Sequence, residues 1–137
     1  MTEAEIRVAT NDEGPEIGKL VWDNGFTVEG IDWTDIAPYW LSARIAEELV
    51  GAVQVLPGKP FGRIEILSVR TDLDPIVRAR VVGDLLETAM EVVRISGGQI
   101  ASGLIPFHHK HYKKALKKRG GQVFDSGNIL YIRVKDV

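Results

Sequence analysis

Val77, Val81, Leu85, Ala89 and Val93 step by four through one stretch of the chain. At 3.6 residues per turn this spacing lays a single apolar stripe along one face of a helix. Asp74 and Pro75 are the residue types favoured at the N-cap and first position of a helix, and Gly97-Gly98 stops it. Strand-like runs flank it, "GRIEILSV" over 62–69 and "QIASGLI" over 99–105. A strand–helix–strand crossover forces its two strands parallel and right-handed. The chain is therefore α/β, with at least one parallel pair in its sheet. The apolar "QIASGLI" belongs at the centre of that sheet.

The remaining elements fall around this unit. "EIRVAT" alternates as a first strand over 5–10, and Thr10 and Glu13 have capping-box spacing. Ile17, Leu20 and Val21 continue at helical spacing until Asn24-Gly25. Residues 26–38 form a loop with a short helix after Asp32. "YWLSARIA" and "LVGAVQVL" are strands about a turn at Glu47-Glu48, and "PGKP" turns the chain into 62–69. A second helix spans about 107–119, and a hairpin around Ser126-Gly127 ends the chain. The order is β-α-β-β-β-α-β-α-β-β, a mixed twisted sheet with helices on both faces. A length of 137 residues predicts one domain over 1–137.

Without cysteine the chain has no disulfide, thiolate nucleophile or cysteine-ligated zinc. The N-terminus is polar and acidic, and no stretch approaches the roughly 20 apolar residues that cross a bilayer. These features predict a cytoplasmic protein with no membrane partner. His108 and His111 stand three apart with no carboxylate near them, so no metal is expected. The net charge of −2 conceals an asymmetry: from Val92 to Phe124 there is no acid, while Arg94, Lys110, Lys113, Lys114, Lys117, Lys118 and Arg119 lie there. This basic helix suits an acidic partner or a polyanionic ligand; the acidic remainder argues against nucleic acid. Trp22, Phe26, Trp33, Tyr39 and Trp40 are split between core and pocket or subunit contact.

This order, with "IRVATNDE" early and "LSV…LLETAMEVV…LKKRGG" later, resembles the GNAT superfamily of acyl-CoA-dependent N-acyltransferases. The resemblance covers nearly the whole chain and lies in layout and hydrophobic pattern. It implies a GNAT-like α/β fold, acetyl-CoA or another acyl-CoA as co-substrate, and a small-molecule or peptide amine as acceptor. In that family the fourth strand offers main-chain groups to the pantetheine arm, here at Leu67 and Val69. A Q/R-x-x-G-x-G/A loop then lays its amides around the pyrophosphate at a helix N-terminus. That motif is degenerate here. Counted from Val69 it reads Asp74-x-x-Val77-x-Ala79; the window Arg80-x-x-Gly83-x-Leu85 keeps two positions but lies inside the helical stripe, where Gly83 and a buried Leu85 are expected.

Under the resemblance Arg78 and Arg80 are the phosphate grips, Glu65 the general base and Tyr112 the general acid. His109 takes the coenzyme-contacting asparagine position. Leu116 stands where the family's tyrosine usually is, and Tyr112 lies one turn before it. The residues also admit structural roles. Asp72 and Asp74 suit their own helix start, and Arg80 suits an i,i+4 pair with Asp84. Glu65 suits an ion pair, and Tyr112 suits a core shared with Ala115 and Leu116. Strand alternation groups Glu65 with Arg63, Leu67 and Val69. The alternative function is a GNAT-fold protein without coenzyme, serving as a structural or interaction component through a protein partner or a homodimer.

Overall fold

The computed structural model describes residues 3–27, 29–106 and 109–123; the expected C-terminal hairpin around Ser126-Gly127 lies outside them. β1 (Glu5–Val8) leads into a 3-10 turn over Asn11–Glu13 and then α1 (Gly14–Asp23). The expected capping box forms between Thr10 and Glu13, with Thr10 N–H donating to Glu13 Oε1 at 3.0 Å. The following loop holds no helix after Asp32. Asp32 instead accepts from Thr34 N–H at 3.0 Å, and Asn11 Oδ1 accepts from Ile36 and Ala37 N–H at 2.9 and 2.8 Å.

β2 (Trp40–Ile45) and β3 (Glu48–Leu56) pair through a two-residue turn at Ala46-Glu47, both with positive φ, 50° and 70°. That is the handedness that matches the twist of the strands it joins. β4 (Phe61–Val69), α2 (Pro75–Ile95), β5 (Ile100–Ser102) and α3 (Lys110–Lys118) follow. The sheet order is β1-β2-β3-β4-β5, antiparallel up to β4 and parallel between β4 and β5. The crossover is as expected, but β5 is shorter than "QIASGLI", its residues are exposed, and among the described residues it stands at the end of the strand order. Among the described residues no helix is long and apolar enough to cross a membrane.

The sheet separates two apolar layers. Ile17, Leu20 and Val21 of α1 pack with Trp40, Leu49 and Ala52. On the other layer Val81, Leu85, Leu86, Ala89 and Val93 of α2 meet Leu41, Val53, Val55, Ile64, Leu67 and Val69, and Tyr112 of α3 joins them. The α2 stripe is seated tightly: a Cβ on Gly51 would stand 2.9 Å from Leu85 and 3.0 Å from Val81. Of the clustered aromatics, Phe26 and Trp40 are buried, while Trp22 and Tyr39 are exposed.

Beneath α1, Glu13 is buried against Arg44, whose Nε and Nη2 reach its Oε2 at 3.0 and 2.8 Å. Burial pushes the Glu13 carboxyl up, but Thr10 N–H and Arg44 outweigh it and hold the group below its ordinary value.

Candidate active site at the strand fork

β5 pairs with β4 only over Phe61–Arg63, at Ile100, Ala101 and Ser102. Beyond Arg63 the two strands part, and the β4 edge over 64–69 has no β5 partner. A bulge then reshapes this open stretch. Ala52 faces Ser68 and Gln54 faces Glu65, so Ile66 and Leu67 together oppose Val53. Ile66 carries φ 56°, a left-handed conformation that a β-branched residue adopts only under constraint.

The bulge corrects the simple alternation. Leu67 and Val69 share the α2 side with Ile64, whereas Ile66 belongs to the α1 layer. Glu65 is thereby separated from Leu67 and Val69. Their main-chain groups are a different matter. Arg70 N–H donates to Val50 O on β3 at 2.9 Å, so alternation turns the Val69 main chain away from β3, toward the open edge.

Tyr112 closes the apex of the fork. Its phenol donates to Ile64 O at 3.3 Å, and burial, then the Glu65 charge, push its pKa up, so it stays protonated. Glu65 is half-buried and pairs with Arg63 along the same strand. Gly103, just past β5, passes so close that a Cβ there would lie 2.1 Å from Ile64 O. Only glycine lets the chain turn off β5 at that point. Glu65 and Tyr112, nearly fifty residues apart, thus meet at one place.

His109 lies at the mouth of the fork. Its Nε2 is 2.9 Å from Asn24 O, and its ring meets Phe26 edge-on at 4.7 Å between centroids. Asn24 Oδ1 in turn accepts from Val69 N–H at 3.2 Å. Asn24 has no sequence signature beyond a helix stop; its reach to β4 spans 45 residues and leaves no local pattern.

The start of α2 is built differently. Asp74 Oδ1 accepts from Ile76 N–H at 3.0 Å, and Pro75 has no N–H to offer. Arg70, at the end of β4, is committed to Asp72 at 2.6 Å and Glu48 at 3.1 Å. Gly83 and Leu85 lie inside α2, Leu85 fully buried and Gly83 against the Arg119 guanidinium. Arg78 is half-buried in the first turn. Arg80 does not join it: two residues apart on a helix point about 200° apart. It lines a cleft with Glu3, Ala4, Ile45 and Asp84, at the β1–β2 edge of the sheet. Among the described residues no group of three or more His, Asp or Glu is placed to hold a metal ion.

The fork and the α2 start are two unlike surfaces. The open β4 edge suits an extended, amide-bearing arm such as pantetheine. The α2 start offers a pyrophosphate a carboxylate and few unengaged amides.

No family model matches the sequence, and no curated protein matches it. Solved structures do match. A diaminobutyrate acetyltransferase from Paenibacillus lautus, in complex with diaminobutyric acid and coenzyme A, superposes with TM-score 0.72 at 11% identity, over 87% of this chain and 75% of that one. A transcriptional regulator from Bacillus halodurans gives 0.75 at 14% identity over 95% and 100%. A ribosomal-protein-alanine N-acetyltransferase from Brucella melitensis gives 0.69 at 15% identity over 95% and 99%. With the mixed five-stranded sheet of its described residues, its forked β4–β5 pair and these neighbours, the chain has the fold of the GNAT N-acetyltransferases.

Proposed function

We propose that the protein is an acyl-CoA-dependent N-acyltransferase, working in the cytoplasm on a small-molecule or peptide amine. The observation that carries this reading is the convergence of Glu65, Tyr112 and a β4 edge that β5 leaves beyond Arg63 at one fork. Acetyltransferase neighbours named for diaminobutyrate and for a ribosomal-protein alanine support the amine class of acceptor.

The coenzyme supplies an acyl group activated as a thioester. Leu67 and Val69 hold its arm through their main chain, and His109 borders the mouth. Glu65, paired with Arg63, takes the proton of the attacking amine. Tyr112, held protonated, gives its proton to the departing sulfur. Arg78 is the cation of the first α2 turn available to phosphate.

The test is a thermal melt and calorimetric titration with acetyl-CoA. Saturation to 100 times Kd adds about 2.7 kcal/mol of stability. No shift at millimolar coenzyme ends the reading.

A second reading has its own observation. Asp74, Asn24, Tyr112 and Glu65 are each already satisfied by partners within the chain. A protein that keeps this fold without coenzyme, as an interaction or structural component, needs nothing more from them. It predicts the flat titration.

A further inference from the structure

The fork's open edge is not bare. Val69 N–H points away from β3, and Asn24 reaches across from the end of α1 to accept it at 3.2 Å. Asn24 is held there on three sides. Its Nδ2 donates to Leu20 O at 3.0 Å, its N–H caps α1 at Leu20 O and Val21 O, both 3.1 Å, and its carbonyl is engaged by His109 at 2.9 Å. Phe26, packed on the His109 ring, fixes α3 against the same corner. A carboxamide oxygen on a strand-edge N–H is chemically what an extended ligand's amide places there.

We infer that Asn24 is an autoinhibitory occupant of the fork, whose amide stands in for a ligand amide and must leave Val69 before the coenzyme arm can pair with β4. The inference rests on the acyl-CoA reading above. It adds that affinity is reduced by an internal competitor, and that α1 moves at its C-terminal end when ligand enters. A site whose competent state is only partly populated binds more weakly by that fraction.

Two substitutions separate the oxygen from the rest of the residue. Asn24→Ala removes the acceptor and leaves the main-chain contact with His109; Asn24→Asp keeps an oxygen for Val69. In the free protein, amide exchange at Val69 should accelerate in Asn24→Ala and not in Asn24→Asp. Acetyl-CoA should bind Asn24→Ala roughly threefold to tenfold tighter than wild type, as loss of one competing hydrogen bond implies, and Asn24→Asp no tighter. In wild-type protein, needing no variant, the Asn24 carboxamide NMR pair should shift on adding acetyl-CoA. Unchanged Val69 exchange in Asn24→Ala, or equal affinity of wild type and Asn24→Ala, overturns the inference while leaving the acyltransferase standing. Should neither protein bind acetyl-CoA, both fall together.

Discussion

The fork and the start of α2 are the two places a pantetheine–pyrophosphate ligand would touch, and they are held by different means. The fork is made by pairing: three β4–β5 residue pairs, a bulge opposite Val53 and a glycine at the exit of β5. Side chains can change around it without closing it. A phosphate cradle at a helix start is made by residues that lack side chains, and a few substitutions fill it. Asp74 turns the free N–H of Ile76 inward, and Arg70 is spent on Asp72 and Glu48. A property of the backbone network persists where a property of individual positions does not.

The largest expected effect tests whether both regions hang on one frame. Leu85 is fully buried and touches the space over Gly51, so Leu85→Ala should cost about 2–5 kcal/mol through the cavity it leaves. Urea unfolding measures it. A cost below 1 kcal/mol would mean that α2 does not brace the sheet beside the fork, and the contrast drawn above would lose its rigid side.

The frame was legible from sequence for a plain reason: the stripe from Val77 to Val93, the Asp74-Pro75 start and the alternating strands are local patterns, and burial enforces them. The site was legible only in part. Glu65 and Tyr112 stand out by residue type and by their positions in the family layout, while their proximity shows only in the structure. The Ile66 bulge was invisible, because isoleucine gives no hint of a left-handed backbone, and it moved Leu67 and Val69 off the face of Glu65. Asn24 shows in the sequence only as a helix stop, since a contact between residues 24 and 69 has no periodicity to betray it. Proximity in sequence pairs Arg78 with Arg80, whereas helical geometry points them about 200° apart.

Asp74 offers the next test, aimed at the closed region. Asp74→Ala should cost about 0.5–2 kcal/mol by removing the cap on Ile76 N–H. Asp74→Ser keeps a capping oxygen without the charge, so its melting temperature should stay near wild type. If the carboxylate is what repels phosphate, acetyl-CoA should bind Asp74→Ser several-fold tighter. Equal affinity would place the obstacle elsewhere along the helix start.

Tyr112 probes the open region by pH. Its hydrogen bond to Ile64 O contributes about 0.5–1.5 kcal/mol, the expected cost of Tyr112→Phe near neutrality. The folded pKa is raised by burial and by Glu65, so the stabilisation is full below the free tyrosine value of about 10 and declines as pH rises above it. Phenylalanine cannot ionise, and the variant should lose less stability than wild type between pH 9 and about 11. Parallel alkaline curves for the two proteins would show that the Tyr112 phenol is not desolvated at the fork, and that burial there does not hold it protonated.

The smallest effect decides how far the two regions are independent. Arg80 lies at the β1–β2 edge with Glu3 and Asp84, at the opposite side of the sheet from β5. An exposed charge in such a setting contributes a few tenths of a kcal/mol, so Arg80→Ala should shift the melting temperature by about a degree or two. It should leave acetyl-CoA affinity untouched. Arg78→Ala should behave in the opposite way, with little change in stability and a loss of affinity of about 1.5–3 kcal/mol if its guanidinium meets phosphate. The two arginines share charge, helix and near-identical sequence position, and differ in the direction they face. Equal losses of affinity would mean that the ligand is drawn by net charge alone, with no defined phosphate contact on α2. A loss confined to Arg78 would mean that the first turn still grips phosphate through a side chain, although the amides around it are engaged by Asp74.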